Sequence, residues 1–233
     1  MEILPIPPPT LNREDVESLV GTKVVNISLY QQAFTHKSAL KRYTLTESFE
    51  TLEFMGDSVL GFIITKFLFD KFQGKQEGFL TKARTKLVRG NTLASIGEKL
   101  GLNRFILMDE KGEKNNWVNN TKILEDCFEA FVGAIYMDIG LLQAKRFVLN
   151  IFTDPEMVNL DIIDMDDNYK DILMRWCQSN KYELPDYKVV SHNHGTFKVY
   201  VSVNDEVCGI GNAKNKKAAE QAAAQMALKE LGT

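Results

Sequence analysis

The sequence predicts an all-α first domain over residues 1–157, a linker at 158–166, and a small α+β domain of order α-β-β-β-α over 167–233. Three observations predict it. Apolar residues recur at helical spacing through 48–72, 80–100, 120–138 and 141–152, with little strict alternation. After an acidic stretch from Asp161 to Asp167 the pattern changes to alternating runs at 187–190, 196–203 and 207–211. A chain of 233 residues also exceeds the usual single-domain size.

From residue 13 to about 150 the helices follow one another, and glycines at 74, 78, 101 and 140 stand where the patterns stop, as helix ends require. In the second domain a helix is expected over Asn168 to Asn180, with Ile172, Leu173 and Trp176 facing inward. Turn residues His194-Gly195 and Asn204-Asp205 separate the three strand-like runs, implying an antiparallel meander with one face left for helices to cover. An alanine-rich helix closes the chain from Lys216 to Leu231.

Composition narrows the class. With 44% hydrophobic and 25% charged residues the chain can bury a core. The opening ten residues carry Glu2 and four prolines, Pro5, Pro7, Pro8 and Pro9, and read as an extended arm rather than a signal peptide. No later segment offers ~18 uncharged apolar residues, so a soluble protein is expected. Cys127, Cys177 and Cys208 have neither disulfide-framework nor zinc spacing, which points to a reducing compartment and a cytoplasmic location. A net charge of −3 argues against a nucleic-acid partner only while it is averaged. Residues 167–233 hold nine Lys and Arg against eight acids, whereas residues 1–166 hold 19 against 23. The acid excess lies upstream.

Much of that acid is patterned. In ETLEFMGDSVLG, Glu50, Glu53 and Asp57 fall at i, i+3 and i+7 and share one helix face. In ILEDCFEAFVGAIYMD, Asp126 and Glu129 fall at i and i+3 amid apolar residues. If the two helices cross there, at least four carboxylates converge. A hard cation would offset their repulsion, and an oxygen-only set without histidine or cysteine selects Mg²⁺ or Mn²⁺ over zinc. Such an ion can activate water and shield charge on a phosphoryl group. The competing reading is of solvated helix faces, the ordinary fate of charged residues.

A second cluster, Lys214, Lys216 and Lys217, opens the last helix. Amides and dipole at a helix start favour an anion, so a phosphate held by Lys216, Lys217 and the first turn is physically sensible. A solvated helix start is the alternative.

The segments FTHKSAL (34–40), ESFETLEFMGDSVLG (47–61), EGFLTKARTKLVRGNTLA (77–94) and ILEDCFEAFVGAIYMDIG (123–140) resemble, in order and spacing, the motifs of the ribonuclease III family. The α-β-β-β-α order, NYKDILMRWCQ and KKAAEQAAA resemble a double-stranded RNA-binding domain over 167–231. By that resemblance Glu53, Asp57, Asp126 and Glu129 correspond to metal-binding carboxylates, with Asp57 and Glu129 the catalytic pair. Glu50, Glu77 and Asn91 match supporting acidic or polar positions. Phe54 matches an aromatic that enters a partner subunit, so the resemblance implies a homodimer.

In the RNA-binding family the first helix and the first strand loop reach minor grooves, while the lysine-bearing helix end meets phosphates. The resemblance places Lys170 and Gln178 on that helix, and His192, Asn193 and His194 in a loop shorter than is typical. It implies Mg²⁺-dependent hydrolysis of double-stranded RNA, Mn²⁺ substituting, with 5′-phosphate ends and short 3′ overhangs. Three departures stand out: Thr51 for a usual arginine, Met55 for leucine, and Glu125 for a small residue beside Asp126. Two rivals remain. One is a protein that binds duplex RNA without cutting it, against which the complete acid set argues. The other is a phosphohydrolase acting on small phosphates, for which no Gly-rich loop is present.

Overall fold

A computed structural model describes residues 7–163, 168–193 and 195–232. The chain divides into two compact units, Met1–Asp164 and Met165–Thr233, each with its own core.

In the first unit, helices α1 (Arg13–Val20), α2 (Ile27–Ala33), α3 (Ala39–Tyr43), α4 (Glu50–Lys71), α5 (Glu77–Leu87), α6 (Gly90–Lys99), α7 (Glu110–Lys114) and α8 (Thr121–Thr153) follow one another. Asparagines set several starts. Asn12 accepts from the Glu14 amide, Asn26 from that of Ser28 and Asn120 from that of Lys122, each satisfying a donor the helix leaves open.

Helix α4 buries Leu52, Gly56, Val59, Leu60, Ile63, Ile64 and Leu68, a stripe at three- and four-residue spacing. That stripe packs on α8, whose residues 127–135 are all buried. Leu60, Ile63 and Ile64 are at most 2% exposed, and each contributes about 2 kcal/mol of burial. By length and hydropathy α8 could cross a membrane, yet here it is the central core helix, with Phe128 and Phe131 fully buried.

Two helical expectations need correction. The pattern over 80–100 belongs to two helices, α5 and α6, which part at Val88 and Arg89, and Gly90 opens the second. Gly78 lies inside the first turn of α5, whereas Gly74, Gly101 and Gly140 do take the left-handed φ that ends or breaks a helix. At Gly140 (φ 83°, ψ 173°) α8 kinks, which is where the sequence pattern lapses between 138 and 141. The expected linker also starts too early. Val158 and Ile163 are buried in the first core, and a 3₁₀ turn at Leu160–Ile163 packs on α5. Residues 164–167, the rest of that acidic stretch, lie outside the described residues.

The second unit is α9 (Tyr169–Ser179), β1 (Asp186–Asn193), β2 (Thr196–Val203), β3 (Glu206–Ala213) and α10 (Lys216–Glu230). The strands form an antiparallel sheet in order β1-β2-β3, with Tyr187 opposite Val201 and Val199 opposite Gly211. Val199, Val201 and Val203 point to the helix side and are buried with Leu173 and Cys177 of α9. The alanine run has a packing cause. A Cβ on Gly211 would stand 1.9 Å from the Ala219 carbonyl oxygen, and one on Gly209 2.2 Å from that of Ala223. Helix and sheet touch backbone to backbone, which larger side chains would prevent.

Candidate metal centre and RNA-facing surface

The first site is made by one helix crossing. A Cβ on Gly56 of α4 would stand 1.8 Å from the Glu129 carbonyl oxygen of α8, and one on Gly133 2.2 Å from that of Leu52. Glycine in a helix interior costs about 1 kcal/mol relative to alanine, and here it admits the closest approach of the two backbones. Glu53 and Asp57 flank Gly56 on one helix, and Asp126 and Glu129 precede Gly133 on the other. The glycine contact therefore sets the spacing of the acids.

Ligand oxygens of Glu53, Asp126 and Glu129 lie within 4.8 Å of one another. Burial, followed by the charges of Asp57 and Glu125, pushes the Glu129 carboxyl up to about 8, with Lys122 opposing. Glu129 is only 7% exposed. Glu53 is also raised, first by burial and then by Asp126. Asp57 falls outside the 4.8 Å set and is exposed, but it is the leading charge acting on Glu129. Such a set fits a hard cation: every donor is a carboxylate oxygen, and the burial and neighbouring charge that raise Glu53 and Glu129 are what a bound ion would offset.

The remaining sequence candidates separate from this cluster. Glu50 is half exposed and held by Lys37 Nζ at 3.2 Å, which lowers its carboxyl, and Ser48 Oγ donates to its other oxygen. Glu77 is exposed at the start of α5, accepts from Thr81 Oγ1 at 2.7 Å, and lines a different hollow with Thr65, Phe69 and Arg84. Asn91 is exposed in the first turn of α6. Phe54 is 76% exposed, turned away from the core.

Three features escaped the sequence reading. Lys122, in the first turn of α8, places its ammonium 2.7 Å from Asp126 and 3.5 Å from Glu125. The glycine pair was signalled by glycines inside long helical patterns. Asp138, an acid in the same motif, is structural: it accepts from the Val25 and Asn26 amides and from Tyr30 Oη.

In the second unit the lysines divide. Lys170 is tied down, its ammonium 2.6 Å from Glu220 and 4.5 Å from the centre of the Tyr187 ring. It is thus a brace between α9 and α10, with about a third of its side chain still exposed. Lys216 leans on the same glutamate at 3.8 Å. Lys214 and Lys217 are exposed and form no ion pair among the described residues. Asn215 caps α10 through the Ala218 amide. Gln178 is exposed on α9. The expected loop at 191–195 is largely strand: pairing continues to Asn193 opposite Thr196, so His192 belongs to β1. The side chains of His192 and Asn193, and all of His194, lie outside the described residues.

A helical unit with acids converging at a tight helix crossing, joined to an α-β-β-β-α unit with exposed lysines at a helix start, defines a two-domain nuclease class. A family model described as Ribonuclease-III-like matches residues 26–155, and one described as double-stranded RNA binding motif matches 169–231. The chain belongs to the ribonuclease III family. It is 39% identical to putative protein A464R of Paramecium bursaria Chlorella virus 1, over 94% of this chain and 79% of that one. It is 35% identical to ribonuclease 3 of Wolbachia pipientis wMel, over 93% and 95%. The crystallographic nuclease domain of Campylobacter jejuni ribonuclease III aligns with a TM-score of 0.56 at 36% identity, covering 62% of this chain and 99% of that one.

Proposed function

We propose that this chain is a divalent-metal-dependent endoribonuclease that hydrolyses phosphodiester bonds in double-stranded RNA. The observation that carries the reading is the convergence of Glu53, Asp126 and Glu129 from two helices within 4.8 Å, with Asp57 beside them. These four hold Mg²⁺, or Mn²⁺ in its place, and Asp57 and Glu129 are the catalytic pair. The bound ion supplies Lewis acidity and charge neutralisation at the phosphodiester. Glu129, raised to about 8 by burial, would have to ionise in order to serve as a ligand. Glu53 and Asp126 complete the negative pocket, while Glu50, Glu77 and Asn91 shape its surroundings.

The second unit holds duplex RNA by shape and charge through Lys214, Lys216, Lys217, Gln178 and the His192–His194 segment. Two catalytic units pair about a two-fold axis with Phe54 entering the partner. Its exposure supports this, as does a second Campylobacter jejuni nuclease-domain structure described as having a region involved in dimer formation (37% identity, TM-score 0.55, covering 60% of this chain and 94% of that one). Paired sites cut both strands and leave 5′ phosphates with short 3′ overhangs. Three free thiols fit a reducing, cytoplasmic setting.

The decisive assay incubates the purified chain with a long RNA duplex, with and without Mg²⁺, beside Asp57→Asn and Glu129→Gln. Metal-dependent cutting by the parent alone, with product ends mapped by sequencing, is expected. Bound but intact RNA in every lane would leave only the binding-protein reading.

A further inference from the structure

We propose that Lys122 is a resident counter-ion that a divalent cation displaces from Asp126, and that Glu125 is the post that receives its ammonium. The inference rests on the metal-dependent reading above. Lys122 occupies the first turn of α8, where the positive end of the helix disfavours a cation, and it precedes its acids, the weaker orientation for an i,i+4 pair. Local helix physics does not account for a lysine there. The acid cluster does.

Its ammonium lies 2.7 Å from Asp126 Oδ1 and 3.5 Å from Glu125 Oε2. The contact to Asp126 joins opposite charges, and a divalent cation brings twice the charge to the same oxygen. An ion taking Asp126 competes for the oxygen that Lys122 now neutralises, and the second acceptor is within reach of a rotamer change.

Glu125 is already fixed in place. Its carboxylate is 20% exposed and packs against the start of α6, where a Cβ on Gly90 would stand 2.5 Å from Oε2. The positive end of α6 favours that carboxylate whether or not Lys122 is bonded to it. Glu125 therefore offsets the lysine's charge without competing for the ion's position. Lys122 and Glu125 act as positioning residues, and the pair adds no net charge to the cluster.

The test is equilibrium Mn²⁺ binding to the full chain, read from the free-ion electron paramagnetic resonance signal at fixed pH. The parent is compared with Lys122→Met, Glu125→Ala and the double variant, and circular dichroism confirms that each folds. Lys122→Met should bind Mn²⁺ about threefold to tenfold more tightly, and Glu125→Ala more weakly by a similar factor. In the Lys122→Met background the Glu125→Ala effect should shrink below about twofold, because no ammonium remains to be received.

Equal Glu125→Ala effects in both backgrounds would reduce the pair to two independent charges and overturn the inference. Unchanged or weaker binding by Lys122→Met would do the same. An Asp126→Asn, Glu129→Gln double variant separates the levels. Mn²⁺ binding that persists in it defeats the metal reading and this inference together. Binding lost in it, with additive effects at Lys122 and Glu125, defeats only the inference.

Discussion

Replacing Gly56 with alanine puts one methyl group where α4 and α8 touch. Its carbon would begin 1.8 Å from the Glu129 carbonyl oxygen, so restoring ordinary contact of at least 3.4 Å requires the helices to part by roughly 1.5 Å. Overpacking of this kind costs about 1–3 kcal/mol, against which alanine returns up to about 1 kcal/mol of helix propensity. Chemistry should suffer more than stability. Ligand oxygens now within 4.8 Å would spread beyond the ~0.5 Å tolerance of a preorganised site, and a 1 Å misplacement costs on the order of 100-fold in rate. Gly61→Ala, on the same helix with nothing within 4 Å of its Cβ, is the control and should be neutral or slightly stabilising. The assay pairs thermal melting with Mn²⁺ affinity and duplex cleavage rate. A Gly56→Ala protein with parental affinity and rate would refute the claim that this contact sets the site.

Glu129 makes metal-free stability depend on pH. With its folded pKa at about 8, above the unfolded carboxylate value, the native state holds a proton that the unfolded state has released across pH 5–8; stability should fall by a few kcal/mol over that window, and Glu129→Gln should flatten the melting profile. Mn²⁺ affinity of the parent should rise with pH up to about 8, with about one proton released per ion near neutrality by calorimetry in buffers of differing ionisation heat. Asp138→Ala leaves the part-buried Tyr30 hydroxyl without its acceptor and releases the exposed Val25 and Asn26 amides to water, so denaturant titration should show a loss of about 1–3 kcal/mol while Mn²⁺ affinity of the folded fraction is retained. In the second unit, Lys217→Ala should weaken duplex binding and reduce the salt-dependence slope by about one, whereas Lys170→Met should lower the melting temperature and leave the slope intact.

Much of this was legible in the sequence because it depends on period. Three- and four-residue spacing placed Glu53 and Asp57 on one helix and Asp126 and Glu129 on another, and strand alternation with turn residues gave the meander. What escaped is three-dimensional. No local pattern says that Lys170 will meet Glu220, fifty residues away in the chain, and so brace two helices. The α5–α6 break leaves a continuous apolar period because both helices face the same core, and only Gly90 marked it. Val158 and Ile163 read as linker since two buried side chains five residues apart make too short a period to register.

Between and beside the acids of α8 run Cys127, Phe128, Ala130 and Phe131, all with no exposure whatever. No loop carries any of Glu53, Asp57, Asp126 or Glu129. An arriving ion or duplex would consequently find its seat rigid beforehand, with little ordering entropy to lose on that side. The same arrangement leaves little slack, since a change of one methylene beneath these acids would shift the oxygens above it.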